Sequence, residues 1–205
     1  VFALLALSLA TGVLAGYLRG GRVRELAFLN MRWSPLLVAA VVLRLLLSPE
    51  SWQLQLGLAR WGDQLYVLCD VLVVSFLLAN VNLPGFGFLA VGQASNLLVK
   101  LLNGWKMPVD PVAAERLGYF AEAQTLQAQG IWLHSRFIDS QTKLPFLGDV
   151  IYVGPPFPWP RLFSVGDLLL LLGVVVCVQG LMLGDRKARQ FRATRGGRQY
   201  GEPAR

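Results

Sequence analysis

The chain has 205 residues, 55% of them apolar, with a mean hydropathy of +0.51 and a formal charge of +7. That composition excludes an ordinary soluble domain and suits one compact membrane bundle with a modest loop domain. A single histidine excludes a multi-histidine metal site within the chain, and no metal-ligand spacing is present. Cys69 and Cys177 fall about 7 Å and about 20 Å from the outer ends of their helices, too different in depth for a disulfide.

Five apolar runs follow in chain order. The first, Val1 to Leu18, is closed by Arg19, Arg22 and Arg24. Basic residues after the run, rather than before it, predict a retained anchor with its N-terminus outside. The second, Trp33 to Ser48, covers only roughly 24 Å at the helical rise and needs flanking residues or a thinned bilayer to span. The third is Leu65 to Val81 and the fourth Pro84 to Leu102, with only Asn82 and Leu83 between them as a tight hairpin. The fifth is Ser164 to Leu183. Four units result: spans one to four (1–102), an extracytoplasmic loop (103–163), span five (164–183) and a basic cytoplasmic tail (184–205).

Orientation comes from Lys and Arg in the short loops. Arg19, Arg22, Arg24, Arg32 and the Arg-rich tail all lie on one side, opposed there by Glu25, Asp185 and Glu202. On the other side Arg60, Lys106, Arg116, Arg136, Lys143 and Arg161, with Lys100 at the edge, are balanced by seven acids. The predicted fold is therefore an all-α polytopic bundle of five spans, N-terminus out and C-terminus in, with a structured loop outside. Trp52, Trp61, Trp105, Trp132 and Trp159 fall outside and Trp33 inside, as interfacial anchors do. The basic tail reads as a partner for anionic inner-leaflet lipid rather than for nucleic acid.

Ionisable residues inside the spans gather near the outer end. Arg44 and Asp70 both lie roughly 6–8 Å below the outer boundary, on consecutive helices, and are expected to pair. Asp167 is three residues into the fifth span, and Lys100 lies near the outer end of the fourth. On the fourth span Gln93, Asn96, Lys100 and Asn103 recur at helical spacing, with Val91, Ala94, Leu98 and Leu102 opposite. The polar stripe is expected to face the bundle. Charge in hydrocarbon is costly, so the layer of Arg44, Asp70, Asn96, Lys100 and Asp167 is either glue between helices or an outward-facing site for a headgroup, a quinone or a similar ligand.

The loop carries its own signals. Asp110 is an N-cap with Pro111 at the first helical position, and Gly130 can close a helix whose apolar face is Val112, Tyr119, Ala123 and Leu126. Ile131 to Ile138 suits a helix extension or a strand equally. Gly154 to Pro160 reads as an extended return to the fifth span. Asn103, Lys106, His134, Thr142 and Asp149 form a candidate outer site, with His134 as a base oriented by Asp149. The structural alternative is a hydrogen-bonded or exposed histidine, and His134 could also ligate a haem iron or chlorophyll magnesium alongside a partner's groups.

Asn103-Gly104-Trp105-Lys106-Met107-Pro108-Val109, His134, Thr142-Lys143-Leu144, Phe146-Leu147-Gly148-Asp149 and Phe163-Ser164-Val165-Gly166-Asp167 follow in that order. Together with Arg19-Gly20-Gly21 and the Arg44 segment, they make the chain resemble an uncharacterised family of five-span bacterial integral membrane proteins, across nearly its whole length. Trp105 stands where the resemblance leads one to expect a small or polar residue. The resemblance implies fold, bacterial origin and a multi-pass place in the cytoplasmic membrane. It carries over no activity and leaves the cofactors unknown.

Two functional readings follow. The first is an accessory or scaffolding subunit of a larger membrane complex, with membrane lipids and a membrane-protein partner as its contacts. The second is a small enzyme or carrier binding a lipid or quinone at the outer leaflet through Arg44, Asp70, Asn96, Lys100 and His134.

Overall fold

The computed structural model describes residues 2–28, 31–47, 61–118, 121, 134–157 and 160–196. Helix dominates them. The long helices are α1 (Phe2–Leu18), α2 (Ser34–Leu47), α3 (Gly62–Ala79), α4 (Phe86–Leu102) and α6 (Val165–Gly196), with a 3-10 turn at Val23–Phe28. Each of the five apolar runs thus forms a helix. Two of them, Gly62–Ala79 and Val165–Gly184, are long and apolar enough to cross a membrane, and Leu4–Leu18, Ser34–Leu47 and Phe86–Leu102 are shorter apolar helices. Trp52, Trp132, Trp159, Gly130, Tyr119, Ala123, Leu126 and the tail beyond Gly196 lie outside the described residues.

Packing sets the helices in the order α2, α3, α4, α6, α1, each against the next. Phe76 and Leu77 of α3 meet Phe86 and Ala90 of α4 in the main apolar core, with Leu36, Leu37 and Cys177 against it. Both cysteines are free thiols. Close approach of α4 to α6 depends on glycine. Gly85 begins α4 with a φ of +78°, and a Cβ there would run into the Gly173 carbonyl and the Cys177 backbone. Lower down the pair, a Cβ on Gly92 would sit 2.6 Å from the Gly166 carbonyl oxygen.

The α3–α4 connection is longer than the expected two-residue hairpin. It turns from Asn80 to Gly85, and the buried Asn80 amide is its anchor. Asn80 Nδ2 donates to the Arg32 and Phe76 carbonyls, and Oδ1 accepts from Arg32 N, each at 2.8 Å. One side chain thereby ties the chain entering α2 to the end of α3.

The loop between α4 and α6 departs from an all-α fold. Strand β1 (Met107–Val109) pairs in parallel with β2 (Ser135–Phe137), and β3 (Ile151–Val153) pairs antiparallel with β4 (Arg161–Phe163). On its other edge β1 is closed by Asp149, whose N–H donates to the Pro108 carbonyl at 2.8 Å and whose carbonyl accepts from Asp110 N. Both edges of β1 are therefore occupied, which suits its full burial. Asp110 caps α5 (Pro111–Arg116) as expected, its carboxylate accepting from Val112 N at 2.9 Å. That helix closes at Gly118 (φ +82°), well before Gly130. Of the Gly154–Pro160 run, the described Gly154–Phe157 turns rather than extends. Phe157 N bonds the Gly154 carbonyl, and β3 and β4 flank the turn.

Candidate functional site

The predicted stripe on α4 does face the bundle. Asn96 and Asn103 are buried, whereas Val91, Leu98 and Leu102 are exposed. Gln93 and Lys100 lie seven residues apart on one edge of the stripe and meet α3. Asn96 and Asn103 lie on the other edge and meet α6 and the loop.

Asp70 holds the first edge. Its Oδ2 takes Lys100 Nζ at 2.8 Å and its Oδ1 takes Gln93 Nε2 at 2.9 Å. This corrects the expected Arg44–Asp70 pair. The two residues share a depth, but it is Lys100 that α4 rotates into α3. Arg44 instead lays its guanidinium over the Tyr66 ring, 4.3 Å from the centroid.

Asp167 organises the second edge. Asn96 Nδ2 donates to Asp167 Oδ1, and Ser164 Oγ donates to Asn96 Oδ1, both at 2.9 Å. Asp167 N donates back to Ser164 Oγ at 3.0 Å, and Ser164 N donates to Asp167 Oδ2 at 3.1 Å. Ser164 and Asp167 are thus a capping box at the start of α6, with Asn96 of α4 recruited into it. The Ser-x-x-Asp spacing announces that box in the sequence, where Asp167 reads only as a layer charge.

The outer-loop candidates do not assemble into one site. Asn103 splices the loop to α4, its Nδ2 donating to the Val99 and Lys143 carbonyls and its Oδ1 accepting from Lys143 N. Thr142 belongs to a surface turn built on Asp139, with Oγ1 donating to the Asp139 carboxylate and accepting from Asp139 N, each at 2.9 Å. Lys106 reaches Asp63 at the start of α3, at 3.7 Å. His134 packs its ring on Tyr66 with centroids 3.3 Å apart, and its carbonyl accepts from Met107 N. Trp105 takes a φ of +71°, directly after Gly104 at +69°. A bulky ring is costly in that left-handed region, which is why a small or polar residue is expected there.

His134 and Asp149 do not form the expected base and orienting acid. Strand β1 runs between β2, which His134 precedes, and Asp149. Burial, reinforced by the charges of Arg44, Lys100 and Lys106, lowers the His134 pKa from 6.5 to about 2. An imidazole so weakly basic is a poor general base near neutral pH. Asp149 moves the other way. Burial and the Asp167 charge raise it from 3.8 to about 7, against the partial relief of Lys100 and Arg161.

The features together define a class: a bundle of apolar helices crossed near one end by a polar layer whose groups bond one another, and capped by a small loop domain with two short sheets. The chain belongs to the family of unknown function DUF5317, which matches residues 28–179. A protein of Thermotoga maritima described as an uncharacterized protein is 32% identical over 123 residues, or 59% of this chain. The chain spans 66% of that relative's length, just under two thirds. No solved structure matches the chain.

Proposed function

We propose that the chain is a multi-pass protein of the bacterial cytoplasmic membrane that crosses five times, N-terminus out and C-terminus in, and acts as an accessory or scaffolding subunit of a larger membrane assembly. Membrane residence is supported by the apolar exposure of the helices. Of the Val165–Gly184 window 22% is buried, whereas the core helix of a soluble protein is mostly covered. The shorter helices α1, α2 and α4 have 14–17 residues and span about 21–26 Å, so flanking residues or local thinning complete their crossing. Trp33, Trp61 and Trp105 are exposed at helix ends, where interfacial anchors belong.

The observation that carries the subunit reading is the closure of the polar layer. Asp70, Gln93, Asn96, Lys100, Ser164 and Asp167 direct their polar groups at one another. Such a layer braces helices and leaves little for a reaction. Gentle purification with mass spectrometry of what stays bound tests the proposal. A stoichiometric membrane-protein partner supports it, and a protein that is recovered with no protein partner contradicts it, whatever lipid it carries.

One observation favours the second reading, a carrier or small enzyme for a lipid or quinone. Arg44 is exposed and, among the described residues, forms no ion pair with a carboxylate. It stands apart from the closed layer and is the natural contact for such a ligand.

A further inference from the structure

Arg44 interrupts an otherwise apolar α2, Ser34–Leu47, and its surroundings are specific. The guanidinium stacks on Tyr66, whose hydroxyl is committed to the Leu47 carbonyl at 3.1 Å and whose ring lies against His134. A guanidinium has five N–H donors and an aromatic face satisfies none of them fully, so a group of strong acceptors is the missing complement.

The local charge points the same way. Lys100 and Lys106 lie close enough to His134 to join Arg44 in opposing its protonation. Lys100 is neutralised by Asp70 at 2.8 Å. Lys106 faces Asp63 at 3.7 Å, an ion contact too long for a good hydrogen bond, which leaves its ammonium able to turn to a second anion. Among the described residues Lys100 and Lys106 each face a carboxylate, whereas Arg44 forms no ion pair.

What adjoins Arg44 decides between a free anion and an amphiphile. Val41 lies one turn inward from it and Val38 continues the same i−3 row, and they are 49% and 61% exposed. A cation at the outer end of an exposed aliphatic face matches a molecule with an anionic head and apolar tails. We propose that Arg44, on its Tyr66 platform, binds the phosphodiester headgroup of an anionic phospholipid, whose acyl chains run inward along Val41 and Val38, with Lys106 of the loop adding positive charge around His134. The guanidinium takes two phosphate oxygens in its fork, a geometry a point-charge ammonium does not reproduce. The proposal rests on the second reading above and names its ligand. A copurified protein partner bears on the subunit reading alone.

The test uses the full chain in nanodiscs of equal phosphatidylglycerol and phosphatidylcholine, released and weighed by native mass spectrometry. The expected result is retention of one phosphatidylglycerol, preferred about tenfold over phosphatidylcholine, whose choline cation the cluster repels. Arg44→Gln removes the preference, and Arg44→Lys keeps part of it. Should Arg44→Gln fail to fold, Lys106→Glu serves instead and weakens the preference by reversing charge in the loop. No preference in the unaltered chain, or a preference undiminished in these variants, overturns the proposal. Displacement of the lipid by millimolar inorganic phosphate overturns it too, because the site would then read a free anion and not an amphiphile.

Discussion

His134 and Asp149 are the loop residues whose chemistry is most altered by folding, and their effects on stability run in opposite directions. In the folded chain Asp149 keeps its proton up to about pH 7, whereas unfolded it ionises near 3.8, so stability falls as pH rises through that window. His134 takes no proton in the folded chain until about pH 2, whereas unfolded it does so near 6.5, so stability falls as pH drops below 6.5. Between about pH 4 and 6.5 the two oppose each other. Asp149→Asn is therefore expected to steepen the loss of thermal stability on acidification and to stabilise the protein above pH 7. His134→Gln is expected to make the melting temperature rise as pH is lowered from 7 to 4. Melting curves in detergent across that range check both, and superimposable pH profiles for the three proteins would count against the burial of these groups.

At the level of elements, the glycines of the α4–α6 contact make a sharp prediction. Gly85→Ala introduces a Cβ at a left-handed φ and against the α6 backbone. It is expected to destabilise by about 2–4 kcal/mol, combining the left-handed cost with overpacking, as a lowered unfolding midpoint. Gly87→Ala meets nothing within 4 Å and is expected to leave the midpoint unchanged or slightly raised. Equal effects at the two positions would contradict the packing. Much of this level was legible in the sequence. The spacing of Gln93, Asn96, Lys100 and Asn103 gave the buried face of α4, and Asp110-Pro111 gave the start of α5. The Asp70 partner was not legible, because depth puts Arg44 and Lys100 on a par and only helix rotation separates them. Leu43 and Leu45 flank Arg44 on both sides, so α2 displays no polar face from which its rotation can be read. The β1–β2 pairing escaped for a different reason. Three-residue strands are too short to show a period of two, and Pro108 argues against a strand with both edges paired.

At the scale of the molecule, the proposed topology sets the described loop on the outer side, over the polar end of the bundle. Asn103 and Lys106 fasten it there, to α4 and α3. Cysteine introduced at exposed Gln141 is expected to react with a membrane-impermeant thiol reagent on intact cells, and cysteine at exposed Asn82 only after the cells are opened. The reverse pattern, or labelling of both from one side, would contradict the five-span topology. The proposed subunit role rests on the same arrangement, in which Asp70 and Lys100 answer each other and His134 is held neutral.

That the polar layer is a brace is the claim on which the rest depends, and a double-mutant cycle between Asp70 and Lys100 tests it most directly. Each single alanine variant strands a partner in a poorly hydrated site and is expected to cost about 3–5 kcal/mol, with the double variant well short of the sum. Arg44→Ala is expected to show no comparable coupling to Asp70. Single variants that keep full stability while losing a bound lipid or quinone would contradict the account, and would make the layer a binding site.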